Sequence, residues 1–220
     1  MTWIRRNVSG IVLNGGLSRR MGSDKCGLVV GGRSLIERTL DVLAKLFDEI
    51  LVVGRPIPDA IAGSPVSRHA SRVTRHVPDA IPGSGPLAGI YTGLLAMTRP
   101  LGFFVACDMP CLDPEVIRRQ IDVARASDAD VVVPCWEDRR VQVCTPYVEP
   151  LHALYSQDCL PAARRQIESG DFRIRGFFRH VKVLFWDVRA EGISTKPFTN
   201  INTKSDLAAL LGPSAQRRTD

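Results

Sequence analysis

The run Leu13-Asn14-Gly15-Gly16-Leu17-Ser18-Arg19-Arg20-Met21-Gly22-Ser23-Asp24-Lys25 puts glycines and cations into one short segment. Glycines let the backbone approach a ligand closely and turn its amides towards it. Arg19, Arg20 and Lys25 add three cations within seven residues. Backbone donors and cations together suit the dispersed charge of a nucleoside triphosphate, whereas a fold alone needs neither; the bland alternative is a solvated basic turn. The segment is not a Walker loop, because G-x-x-x-x-G-K-[ST] is missing, and it lacks the G-x-G-x-x-G of the dinucleotide-binding turn. A second residue with chemistry to offer is Asp108, the carboxylate that closes the apolar run Leu101-Gly102-Phe103-Phe104-Val105-Ala106-Cys107. Asp79 leads into Pro82-Gly83-Ser84-Gly85, a loop by composition.

These residues must be positioned by strands and helices in alternation. Gly10 to Leu13 reads as a buried strand stopped by Asn14-Gly15-Gly16. Ser34 and Glu37 form a capping box, and Ile36, Leu40, Leu43 and Phe47 share the face of the helix that follows. Ile50 to Val53 is a second strand and Arg72 to Val77 a third, with a stretch between them that the pattern does not place. Pro86 opens a helix to about Met97, with proline early where it is tolerated. Leu101 to Cys107 is the continuous apolar strand expected when both faces are covered. Asp113-Pro114-Glu115 starts a helix whose face carries Ile117, Ile121 and Ala124. Asp130 to Val133 and Arg140 to Cys144 are further strands, and Val148 to Ser169 reads as helix, interrupted near Pro161. Val181 to Val188 is a late strand, and Thr203 caps a short last helix through Leu211. Alternation of this kind implies parallel βαβ units in one doubly wound sheet, an α/β fold that binds ligands at the carboxyl ends of its strands. The segment after the first strand and Asp108 both fall there. Residues 1–211 make one domain, and 212–220, after Gly212-Pro213, a loose tail.

Composition removes several classes of function. The chain has 220 residues, 45% hydrophobic and 24% charged, as soluble globular proteins do, and no run of about 20 apolar residues exists to span a membrane. Two arginines near the start are not followed by the apolar core of a secretory signal, so the expected location is the cytoplasm, with no membrane partner. Lysine and arginine number 29 against 23 acids, a net charge of +6 that suits an anionic small substrate. Nucleic acid is not an expected partner: aromatics are 6% and no basic stripe carries them. Six cysteines without a C-x-x-C pair, and four histidines without ligand spacing, argue against zinc and for reduced, mostly buried thiols. Cys26, beside Lys25, is the one thiol whose neighbour would lower its pKa and favour oxidation. The histidines His69, His76, His152 and His180 read as surface or structural, and Trp3, Trp136 and Trp186 as packing residues.

The glycine-rich loop resembles the signature of sugar-phosphate-type nucleotidyltransferases. Four further segments narrow the likeness: Gly85-Pro86-Leu87-Ala88-Gly89, Cys107-Asp108-Met109-Pro110, Thr145-Pro146-Tyr147 and Phe198-Thr199-Asn200-Ile201-Asn202-Thr203. Together they resemble the molybdenum cofactor guanylyltransferase family over about residues 9 to 211. That resemblance implies a three-layer α/β/α Rossmann-like nucleotidyltransferase fold. It also implies an Mg²⁺-dependent enzyme that transfers GMP from GTP to the phosphate of the molybdenum–molybdopterin cofactor, with release of pyrophosphate. Partners implied with it are GTP, the molybdenum–molybdopterin acceptor, cofactor-delivery proteins and molybdoenzyme chaperones.

Residue by residue, Leu13, Asn14 and Gly15 match positions whose backbone lines the nucleotide. Arg20 and Lys25 match cations on the triphosphate, Asp79 an acid on the nucleotide side, and Asp108 the magnesium ligand. Asn200 and Asn202 match the amides on the acceptor side. A structural reading stands beside each: Asp108 as a loop cap, Asp79 as a turn former, the two asparagines as loop amides, Gly85 to Gly89 as close helix packing. Two departures bear on base choice. Asn14 stands where the family usually has alanine, and Val53-Gly54-Arg55 where it often has an asparagine. The alternatives that stay open are a related transferase using CTP, on this or another small phosphate, and a non-catalytic carrier of nucleotide or cofactor.

Overall fold

In the computed structural model, which describes residues 1–15, 28–30, 32–57, 74–137, 147–201 and 206, strand β1 (Val8–Asn14) is buried along its whole length. Among the described residues it lies inside an eight-stranded sheet. Its parallel neighbours are β4 (Ile50–Gly54) on one side and β6 (Leu101–Ala106) on the other. β5 (Thr74–Val77) extends the sheet beyond β4, again in parallel. On the far side of β6 come β9 (His152–Ser156), then β7 (Val131–Trp136), then β10 (Val183–Asp187), giving the order β10-β7-β9-β6-β1-β4-β5. β9 is antiparallel to both neighbours, and β8 (Tyr147–Val148) pairs antiparallel with the end of β7. The remaining pairs of this sheet are parallel; β2 (Val29–Val30) and β3 (Arg33–Ser34) form a separate antiparallel ribbon.

Helices cover both faces, so the core is double and the architecture has three layers. On one face, Ile36, Leu40 and Leu43 of α2 (Leu35–Ala44) and Ile117 and Ile121 of α4 (Pro114–Arg125) pack on Val12, Val52, Phe103 and Val105. On the other, Leu87, Ile90 and Leu94 of α3 (Pro86–Ala96), Ala162 and Ala163 of α5 (Leu160–Glu168) and Phe177 of α6 (Ile174–Phe177) pack on Ile11, Leu51 and Phe104. The capping box at Ser34 is formed: its backbone N–H donates to Glu37 Oε2 at 2.7 Å and its hydroxyl accepts from the Glu37 N–H at 3.3 Å. Asp113 caps α4 through the Glu115 N–H at 2.8 Å. α3 lies close on the sheet because Gly93 is bare; a Cβ there would fall 2.5 Å from the Phe104 ring.

Two expectations are corrected and one element is added. The helix over Val148 to Ser169 exists only from Leu160 to Glu168, after a 3₁₀ turn at Gln157–Cys159. The residues before it form β8 and β9, because His152 to Tyr155 are wholly buried between two strands, where ladder bonds satisfy a backbone that a helix would leave without room. The start of the chain is a short helix, α1 (Thr2–Asn7), that the pattern did not announce. And the thiols are not all reduced: Cys107 is disulfide-bonded, while Cys111, Cys135 and Cys159 are free. The strand expected over Arg140 to Cys144, Cys26 and the tail at 212–220 lie outside the described residues, as does the last helix except for Asp206, which is helical. Among the described residues no helix is long and apolar enough to cross a membrane.

Candidate active site

Parallel pairing of β1 with β6 sets Leu13 opposite Ala106, so both strands end at the same edge. There the Cys107 N–H donates to the Leu13 carbonyl at 3.2 Å. Asn14 and Gly15 leave the sheet beside Cys107 and half-buried Asp108. A third segment closes on them: the Ile201 N–H donates to the Asp108 carbonyl at 2.9 Å. Leu13 to Gly15, Asp108, and Asn200 with Ile201 are thus gathered at the carboxyl ends of the two central strands. Arg20, Lys25 and Asn202 lie outside the described residues.

On the β4 side, Asn14 is buried and its side-chain amide is spent on the protein, donating to the Arg55 carbonyl at 2.9 Å. The Arg55 N–H returns to the Asn14 carbonyl at 3.0 Å. The Asn14 side chain is therefore held within the protein rather than offered to a ligand. The clasp needs glycine at 54: φ is +107°, and a Cβ would sit 2.7 Å from the Asn14 carbonyl oxygen. His76 of β5 completes it, with Nε2 2.8 Å from the Gly54 carbonyl. Asp79 follows β5 at the same edge. Its Oδ1 lies 3.1 Å from the Thr92 hydroxyl of α3 and accepts from the Ile81 N–H at 3.4 Å, so it fixes the approach to Gly85.

On the β9 side stands a residue the motifs did not reveal. Glu149 sits between β8 and β9, only 3% exposed. Three donors converge on its carboxylate: the Leu151 N–H at 3.1 Å on Oε1, and the Tyr147 hydroxyl at 3.1 Å and the Asn200 amide at 3.2 Å on Oε2. Burial raises its pKa and nearby Asp108 adds to that, while the three hydrogen bonds pull the other way. Tyr147 is pushed up to about 12, by burial first and then by Glu149. A row of rings lines this side: Tyr147, 45% exposed, lies 4.6 Å from Trp136, and Trp136 5.4 Å from Phe198. Glu149 carries no periodicity and belongs to no recognised segment. Its nearest signal was Thr145-Pro146-Tyr147 just upstream, and a helical reading of 148–169 hid it.

Among the described residues no group of three or more histidine, cysteine or acidic side chains could hold a metal. A carboxylate at Asp108, with that of Glu149 near enough to be felt, fits a hard cation that keeps water and takes its other ligands from phosphate; it does not fit a closed protein cage. The buried thiols are inert by comparison, Cys159 being pushed up to about 12 by desolvation.

A family model described as the MobA-like NTP transferase domain matches residues 10–184. A protein of Pelotomaculum thermopropionicum named "Probable molybdenum cofactor guanylyltransferase" is 34% identical over 203 residues, spanning 90% of this chain and 89% of its own. The molybdenum cofactor guanylyltransferase of Syntrophotalea carbinolica is 30% identical over 201 residues, with 90% and 88% covered. Among solved structures, molybdopterin-guanine dinucleotide biosynthesis protein A of Archaeoglobus fulgidus superposes with a TM-score of 0.69 at 26% identity, covering 90% of this chain and 94% of that one. The 2-C-methyl-D-erythritol 4-phosphate cytidylyltransferase of Thermus thermophilus shares the fold, with a TM-score of 0.64 at 16% identity over 94% and 98% of the chains.

Proposed function

The chain belongs to the MobA-like NTP transferase family and is a nucleotidyltransferase, and from that premise we propose that it transfers GMP from GTP to the phosphate of molybdenum–molybdopterin. The acceptor phosphate oxygen bonds to the α-phosphorus of GTP, the bond from that phosphorus to the β-phosphate bridge breaks, and pyrophosphate leaves. The observation that supports this best is the meeting of the Leu13 and Ile201 segments on Cys107 and Asp108. Three stretches of the family's signature, far apart in sequence, thereby face one edge of the sheet.

In this reading the backbone at Leu13, Asn14 and Gly15 lies along the nucleotide, and Arg20 and Lys25 spread the charge that builds on pyrophosphate. Asp79 holds the nucleotide-side loop. Asp108 would hold Mg²⁺, which supplies positive charge to the reacting phosphates. Asn200 and Asn202 receive the acceptor.

The test is pyrophosphate release with each of the four nucleoside triphosphates, with and without molybdenum–molybdopterin. Turnover is expected only with GTP, acceptor and Mg²⁺ together, and Asp108→Ala should lower it by at least about a thousandfold while the thermal midpoint stays near that of the parent. Release with CTP instead would name the base differently, and GTP binding without release would make the protein a carrier.

A further inference from the structure

We infer that Glu149 is a positioning residue that polarises Asn200, so that the acceptor side of the site reads hydrogen-bond donors on a flat heteroaromatic ring. This rests on the transferase reading above and names what its acceptor side selects. An asparagine amide has two faces, and which one meets a ligand depends on what holds the other. Here the holder is a carboxylate that already collects the Leu151 N–H and the Tyr147 hydroxyl. A carboxylate only accepts, so the Asn200 NH₂ must turn to it, as it does at 3.2 Å. Oδ1 is then fixed on the opposite side. It is removed from solvent and has no partner among the described residues. A buried acceptor without a donor costs free energy that a ligand N–H would recover.

Placement says which ligand that is. Asn200 adjoins Ile201, which bonds Asp108 at the end of β6, and Glu149 leads into β9 on the far side of β6 from β1. The Asn14–Arg55 clasp lies beyond β1, between β1 and β4. Donor nucleotide and acceptor therefore approach Asp108 from opposite directions along the sheet, and Asn200 is on the acceptor's side. The neighbouring Tyr147 ring, exposed and packed against Trp136 at a tilt of 35°, offers a face for a planar group. A pterin ring supplies both a plane and ring and amino N–H donors. The guanine of GTP has similar chemistry, so the experiment must separate the two.

The test reverses the polarity of the pair. In Glu149→Gln the side chain keeps the Leu151 bond through its oxygen and turns an NH₂ to Asn200, which must flip and show the ligand a donor. In Asn200→Asp two carboxylates face each other. In the double variant the glutamine NH₂ donates to the carboxylate introduced at position 200, whose second oxygen again presents an acceptor. Each single change is expected to raise KM for molybdenum–molybdopterin at least about tenfold with KM for GTP within about twofold, and the double variant to return close to the parent. Quenching of a simple phosphate-free pterin by Tyr147 and Trp136 should follow the same order without turnover. Should Glu149→Gln fail to fold, the comparison of Asn200→Asp with the double variant still decides. Unchanged acceptor KM in the singles, no recovery in the double, or a rise in KM for GTP instead would each overturn the assignment. Absence of GTP-dependent release from the parent, with the pterin order intact, would defeat the transferase reading alone.

Discussion

His152 shows how a single residue carries the cost of its position. Its ring lies 4.9 Å from that of Phe103 and 4.7 Å from that of Phe198, both near edge-on, and neither nitrogen has a partner among the described residues. Burial drives its pKa down to about 4. The unfolded chain therefore binds this proton near pH 6.5 and the folded one only near 4, so stability is complete above about 6.5 and falls as pH drops towards 4, by about 3 kcal/mol. Glu149 has the opposite sign: its raised pKa makes stability decline as pH rises above its ordinary range, which partly offsets the histidine near its lower end. His152→Leu loses two edge contacts worth about 1 kcal/mol each but also removes two unpaired nitrogens, so at pH 7 it should differ from the parent by about 1 kcal/mol or less. Urea midpoints measured from pH 7 to 4.5 should show the parent weakening and the variant holding nearly level; parallel curves would refute the histidine's part. At this scale the sequence singled out Asp108 as a candidate, because a carboxylate ending an apolar strand breaks a pattern. Glu149 stayed hidden because its environment is made by β7 and Asn200, neither of which its neighbours in sequence foretell.

The elements most plainly written in the chain are those with local punctuation. Ser34 with Glu37, Asp113 with Pro114, and Gly85 with Pro86 each mark a helix start found where expected. β9 was not legible, since Leu151, Leu154 and Tyr155 fit a helical face as well as a buried strand, and only pairing with β6 and β7 decides between them. That pairing is itself incomplete. β7 and β9 match at only Val131–Tyr155 and Val132–Leu154 before Pro134, which has no N–H, and β8 takes over opposite Cys135 and Trp136. Into this fork α4 sends Gln120, whose Nε2 donates to the Val132 carbonyl at 3.0 Å and to that of His152 at 3.1 Å. One side chain thus finishes two strands. Gln120→Met keeps the length and apolar stem and abandons both carbonyls but also removes Oε1, buried without a partner among the described residues, so its urea midpoint should fall by the equivalent of about 1–3 kcal/mol. A smaller acceptor-side than nucleotide-side effect on KM would show that the fork does not hold Glu149 in place, because Glu149 donates its own N–H to the Pro134 carbonyl at 3.0 Å just beyond it.

Across the whole molecule the sheet acts as a ruler with Asp108 near its middle. The clasp of Asn14, Gly54 and Arg55 lies towards β5, and Tyr147, Glu149 and Asn200 lie towards β10. If the two substrates come in from those two ends, damage at one end should be felt by one substrate only. Gly54→Ala puts a side chain at φ +107° and a Cβ 2.7 Å from the Asn14 carbonyl, which costs about 1–3 kcal/mol of strain and shifts the end of β1, where the proposed nucleotide contacts would begin. Tyr147→Ala removes the exposed ring 4.6 Å from Trp136 and leaves β1 and β4 untouched. The first should raise KM for GTP and spare the acceptor; the second should do the reverse. Because the two residues share no partner, their effects in the double variant should add within about 0.5 kcal/mol, read from kcat/KM for each substrate. Strong coupling between them, or a loss that strikes both substrates equally from either end, would mean that nucleotide and acceptor share one surface, and the division of labour along the sheet would have to be abandoned.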